Sequence, residues 1–285
     1  MKNLILSFFV VLISCNNDDI SKQIPVESKI VVEGSIEEGD VAKVVLSRSV
    51  PIGAVVDSTT VLNYVIRSAK ITVSDGEKEE VLRVKRDNDK IPPFVYLGSE
   101  IIGEAGKTYT LKIEYLNKTV AGKTTIPHSV PILSADYIKD NPTDKNGSIF
   151  IKFNDPANEK NFYQIQTRLD KYDSIYIPAL YGNLNDANFN APEISFQIFR
   201  GKSFSFEDHS DYKSNFEDGD LIYVKLRTMD NAGFEFWNSW QNEIINGQSP
   251  IFPNTTSLKS NIDGGIGIWA GYGQQTILVQ TPPKK

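Results

Sequence analysis

Apolar and polar side chains alternate one for one along most of this chain, and that period restricts its fold more than any single motif. Within residues 107–116, Tyr109, Leu111, Ile113 and Tyr115 alternate with Thr108, Thr110, Lys112 and Glu114. Successive residues of a strand point to opposite faces, so such a run covers a core on one side and meets water on the other. The same pattern predicts strands at 29–36, 41–48, 69–74, 80–86 and 94–97, then at 148–154, 161–170, 193–199, 202–206, 220–229 and 275–281. Asp75-Gly76 separates two of them as a hairpin turn.

One segment departs from this period. Phe236, Trp237, Trp240 and Ile244 recur at helical spacing and predict a short amphipathic helix over 234–246. Its aromatics are expected to pack against a sheet rather than to form an exposed carbohydrate platform. The fold class expected is all-β: two tandem β-sandwich domains of immunoglobulin or fibronectin type, at 26–128 and 129–285, with the helix in the second. Thr125-Ile126-Pro127-His128 reads as the exit from the first. An apolar fraction of 40% with 15 Phe, 12 Tyr and 3 Trp is enough for packed cores and argues against disorder.

The N-terminus has a different logic. Lys2 precedes an apolar run from Leu4 to Ile13, broken only by Ser7. A helix needs about 20 residues to span a bilayer, so the run reads as a removable export signal over 1–14. It ends in Leu12-Ile13-Ser14-Cys15, which resembles the bacterial lipobox. The thiol of Cys15 would take a diacylglyceryl thioether, so that several palmitate-type acyl chains sit at this one residue, each buried methylene contributing about 0.8 kcal/mol of membrane affinity. Cys15 is also the sole cysteine, so no internal disulfide competes for it. Residues 15–25 read as an acidic polar tether. Asp18 and Asp19 within it resemble the signal that sends lipoproteins of many Gram-negative bacteria to the outer face of the outer membrane.

A formal net charge of −6 with no basic stripe argues against nucleic acid as a partner. By the same measure, membrane contact is expected through the N-terminal lipid and not through surface charge.

Several phrases in order resemble a known family. They are Val32-Glu33-Gly34, Leu46-Ser47-Arg48-Ser49, Gly106 to Leu111, Thr125-Ile126-Pro127, Asp155-Pro156-Ala157 with Phe162-Tyr163, and Ser260 to Gly267. Together they resemble a family of outer-membrane lipoproteins known as domain of unknown function 4249, commonly encoded beside TonB-dependent receptors. The resemblance implies an accessory to nutrient or metal-complex uptake and assigns no catalytic or ligand-binding residue.

The chemical motifs are weaker. Gly265-Ile266-Gly267-Ile268-Trp269-Ala270 has the spacing of a dinucleotide loop, but such a loop must open a helix inside a βαβ unit, and the residues after Ala270 read as a strand. These glycines are expected in a tightly packed strand or turn. Gly106-Lys107-Thr108 and Gly122-Lys123-Thr124 lack the earlier glycine of a phosphate loop. His128 and His209 are the two histidines, and neither sits in a nucleophile-activating motif. The acidic residues Asp208, Asp211, Asp218 and Asp220 form a candidate calcium site whose spacing misses the EF-hand pattern.

The function expected is therefore a non-enzymatic, surface-exposed binding accessory to a TonB-dependent receptor, with no catalytic residue and no cofactor beyond the calcium candidate. An adhesion or structural module is the second reading, and a hydrolase of extracellular polymers the third.

Overall fold

The computed structural model describes residues 28–50, 56–57, 59–88, 92–156, 159–189, 192–202, 213, 215–247 and 258–284. Eight strands come first: β1 (Ile30–Glu37), β2 (Val41–Arg48), β3 (Lys70–Ser74), β4 (Glu79–Val81), β5 (Arg83–Arg86), β6 (Phe94–Ile102), β7 (Thr108–Tyr115) and β8 (Lys118–Thr125). After them come β9 (Ile132–Ile138), β10 (Asn146–Asn154), β11 (Phe162–Leu169), β12 (Ile177–Asn185), β13 (Glu193–Ile198), β14 (Phe216–Glu217) and β15 (Leu221–Met229). Helix α1 (Asn231–Gly247), β16 (Ile262–Asp263) and β17 (Ile266–Gln280) complete the order. Among the described residues the fold is all-β with one α-helix.

An eight-stranded sheet runs β12-β11-β15-β17-β1-β2-β6-β5. The expected division after His128 falls between β8 and β9, and this sheet takes four strands from each side of it. Its seam is β17, whose 15 residues extend about 50 Å at 3.3–3.4 Å each. The first half of β17 pairs in parallel with β1, from Val31 opposite Ile266 to Glu37 opposite Tyr272. Its second half pairs antiparallel with β15, from Met229 opposite Tyr272 to Leu221 opposite Gln280. Gly267 makes the parallel pairing possible: a Cβ there would lie 1.9 Å from the Val32 carbonyl oxygen, and its φ of +121 suits glycine alone.

One face of the large sheet is covered by two smaller ones. Under the five-stranded sheet β16-β8-β7-β3-β4, Ile36, Val44 and Leu46 meet Ile71, Leu111 and Ile113 in a first core. Ile262 and Trp269, from far along the chain, belong to this core too. Trp269 is fully buried, and its indole N–H donates to the Tyr109 carbonyl at 3.0 Å. Under the four-stranded sheet, in which β10 pairs with β9, β13 and β14, Ile149, Ile151 and Phe153 pack on Ile165, Val224 and Leu226.

The opposite, outer face carries α1. Asp230 starts the helix: its carbonyl accepts from Phe234 N at 3.1 Å and its carboxylate from Gly233 N at 2.8 Å. That cap places the helix start three residues before the expected 234. Phe234 stacks on Phe162 at 4.9 Å, and Phe236 packs with Met229, Ile268, Ala270 and Tyr272. The aromatic stripe therefore packs against the sheet, while Trp240 stays 38% exposed.

The expected strand at 202–206 begins at Lys202, which lies outside any strand; its remaining residues are outside the described set.

Candidate functional site

Strand pleating decides which side chains reach the outer face. Alternate residues supply Gln164, Gln166 and Arg168 from β11, Tyr223, Lys225 and Arg227 from β15, and Glu33, Ser35 and Glu37 from β1. Beside α1 these groups lock together. Glu37 accepts from Lys225 Nζ at 2.9 Å and also from the Arg227 guanidinium, while burying all but 8% of its surface.

The Arg227 guanidinium lies 4.3 Å from the Tyr272 ring centre, and the Tyr272 hydroxyl accepts from Trp237 Nε1 at 2.7 Å. Arg227 also donates to Gln164 Oε1 at 3.4 Å, which takes a second donation from Gln166 Nε2 at 3.1 Å. From Gln164 the chain of bonds continues to Asn183 and on to Gln241 of the helix. Gln166 Oε1 and Arg227 Nε are buried without a hydrogen-bond partner, so the network keeps one acceptor and one donor unmatched.

Burial and charge act against each other here. Burial would raise the Glu37 carboxyl, but the Arg227 and Lys225 cations pull it down to about 2. Lys225 is lowered, chiefly by burial and further by Arg227, with Glu37 opposing. Burial pushes the Tyr272 hydroxyl up to about 12. The result is a fixed, partly cationic and aromatic surface: Lys225 sits 4.3 Å from the Tyr176 ring centre and Arg168 4.2 Å from that of Tyr223.

At the N-terminal end of α1 the same face opens into a cleft of about 450 Å³, where the 126–128 segment meets the start of β11 and the end of β15. Ile126, Phe162 and Met229 give it apolar walls; His128, Lys160 and Asp230 give it polar ones. Lys160 Nζ lies 5.2 Å from the Phe162 ring centre. The Asp230 carboxylate is committed to the helix cap and to the Thr124 hydroxyl at 2.9 Å. The cleft is wide open to solvent, and its lining mixes apolar and polar groups.

The sequence-derived sites map unevenly onto this geometry. Cys15, Asp18, Asp19, Asp208, His209 and Asp211 lie outside the described residues. His128 borders the cleft, and its carbonyl accepts from the Thr228 hydroxyl at 2.8 Å. Asp218 and Asp220 flank the turn between β14 and β15. Asp218 pairs with Lys139 at 2.6 Å, and Asp220 accepts from Glu217 N at 2.9 Å and faces Lys213 Nζ at 3.5 Å. Among the described residues no group of three or more His, Cys, Asp or Glu is placed to hold a metal. No helix among them is long and apolar enough to cross a membrane. Gly265 to Ala270 enter β17, and the Gly106 and Gly122 triplets border or enter strands β7 and β8.

Sequence reasoning missed the Glu37, Lys225 and Arg227 cluster. Lys225 and Arg227 stand at the polar positions of an alternating strand, where solvent exposure is the default, and their acidic partner is 188 and 190 residues away.

A family model described as domain of unknown function (DUF4249) matches residues 17–277 of the chain. No curated protein matches it.

Proposed function

The chain belongs to the family described as domain of unknown function (DUF4249), and on that premise we propose a lipid-anchored outer-membrane binding protein, exposed at the cell surface and acting as a non-enzymatic accessory to a TonB-dependent receptor. The observation that carries this reading is Leu12-Ile13-Ser14-Cys15 behind a short apolar segment with one basic residue before it. The outer face supports the binding role. Two of its carboxylates are held in place, Glu37 by two cations and Asp230 by a helix cap, which supports a fixed recognition surface. The cleft beside α1 supplies a concave place for cargo, a nutrient or a metal complex.

Mass spectrometry of the mature protein tests the anchor: a diacylglyceryl adduct on Cys15 is expected, and Cys15→Ser should leave an uncleaved precursor. Protease shaving of intact cells tests the surface address given by Asp18 and Asp19. Co-purification with an outer-membrane receptor from detergent extracts tests the accessory role. A clean isolation without receptor, combined with normal growth on every nutrient and lost attachment on deletion, would favour an adhesion module instead.

A further inference from the structure

We infer that the end of the molecule from which the tether leaves is itself a membrane-contacting surface, where a leucine-tipped hairpin and a ring of basic side chains meet the anionic headgroup layer of the bilayer that holds the anchor. The inference rests on the lipid-anchor reading and adds a second attachment to it.

The described chain begins at Ser28, and the β7–β8 hairpin stands beside that point: Lys118 Nζ donates to the Ser28 carbonyl at 3.4 Å. At the hairpin tip Leu116 is 85% exposed and holds a φ of +51, a left-handed conformation that asparagine or glycine adopts with less strain. An apolar side chain kept in a strained backbone position, and pointed into solvent, gains nothing from the fold around it. Val50 and Leu62 are also exposed at this end. Val50 comes after Ser49, which bonds Lys29, and Leu62 precedes Asn63, whose carbonyl accepts from Arg48.

Around these apolar groups the strand registers gather Lys29, Arg48, Arg67, Lys70, Arg86 and Lys118, residues scattered over about ninety positions. Arg48 pairs with Ile30, Arg86 with Phe94, Lys70 with Glu114 and Lys118 with Tyr115. Arg67 lies 5.0 Å from the Phe94 ring centre. Among the described residues four acids share this end. Asp57 accepts from the hydroxyls of Thr59 and Thr60, and Glu114 pairs with Lys70 and Lys112; Asp87 and Asp263 complete the set. Among the described residues the six named cations outnumber the four acids at this end, although the whole chain carries −6.

Basic groups within about one Debye length, roughly 10 Å, of an anionic leaflet are drawn to it, and an apolar tip among them enters the interface. A tether from Cys15 to Ser28 reaches at most about 45 Å at roughly 3.5 Å per residue, so the lipid alone leaves the orientation of the body open. Contact through this end sets it, with the long β17 seam leading away from the membrane.

The test uses the full lipidated chain. Because the Cys15 thiol is consumed by the lipid, wild-type protein should take no thiol label, and Leu116→Cys offers one site for an environment-sensitive dye. Thr143→Cys, an exposed position near the far end of β17, is the control. In vesicles of equal parts phosphatidylglycerol and phosphatidylcholine the dye at 116 should brighten several-fold and be quenched by lipid-borne quenchers, while the dye at 143 reports water. Phosphatidylcholine alone, or Arg48→Glu with Arg86→Glu, should remove most of that response. A dye at 116 that reports water in the anionic vesicles, with the wild type unlabelled, overturns the surface and leaves the anchor standing. Labelling of the wild-type chain overturns the anchor itself.

Discussion

Glu37 and Lys225 meet at 2.9 Å across the intervening strand β17, although 188 positions separate them in the chain. The contact ties the first strand of the large sheet to one of its last, and Arg227 adds a second cation to the same carboxylate. Removing the carboxylate leaves two buried cations facing each other. Glu37→Gln should cost about 3 kcal/mol in urea denaturation at neutral pH, more than the loss of an exposed ion pair.

The same group predicts a pH dependence. The folded-state value of Glu37 is pushed down to about 2 from an ordinary 4.5, so its stabilisation is complete above about 4.5 and lost as pH falls toward 2. Two and a half units correspond to about 3 kcal/mol. Denaturation midpoints of the wild type should fall across that window more steeply than those of Glu37→Gln; parallel curves would contradict the assignment.

Gly267→Ala should be among the most damaging single changes in the protein. The added methyl would meet the Val32 carbonyl oxygen at 1.9 Å, and the φ of +121 disfavours any side chain. Steric overlap and backbone strain together should exceed about 3 kcal/mol. Gly39→Ala is the comparison: its φ is +80 but nothing lies within 4 Å, so about 1 kcal/mol is expected. Equal losses for the two would mean that close strand approach is not what Gly267 provides.

This glycine also shows what local pattern can and cannot reveal. Strands β2, β3, β7 and β13 are legible because one of their faces meets water: β2 reads Val-Ala-Lys-Val-Val-Leu-Ser-Arg with every second residue buried. The first half of β17 is buried on both faces, so Gly-Ile-Trp-Ala-Gly-Tyr-Gly loses the alternation, and only its end, near 275–281, reads as a strand. β8, β9 and β12 are illegible for a related reason. Their small, polar or bulge-broken runs take on strand geometry from neighbours, as at the shift between Gln164 and Gln166 where β12 pairs with β11. The parallel pairing of β1 with β17 joins distant segments and leaves no local trace. Within the candidate site, the helical aromatics are readable from spacing, whereas the Glu37 cluster depends on that distant pairing.

Leu116→Gly should stabilise the protein by about 1 kcal/mol, because glycine relieves the left-handed strain at a tip where the leucine side chain is almost wholly exposed. Leu116→Ala keeps the Cβ and should leave stability nearly unchanged. Urea midpoints of the three proteins check this; a destabilised glycine variant would show that the leucine is held by packing.

Asp230→Ala removes the helix cap and leaves the Thr124 hydroxyl without its carboxylate. A loss of about 1 kcal/mol is expected. Amide exchange at residues 231–234, beside the cleft, should accelerate about fivefold. Unchanged exchange there would show that α1 is held by its aromatic face alone.

Among the described residues β17 comes after every other strand, yet β1 needs it as a neighbour. Until that last segment has emerged, β1 keeps an open edge, and both cores lack members that β17 supplies. Contacts of such long sequence separation close slowly, on the order of milliseconds to seconds. The molecule thus carries a built-in delay: the large sheet cannot close before β17 arrives, so the seam that joins β1 to β15 is a late event of folding.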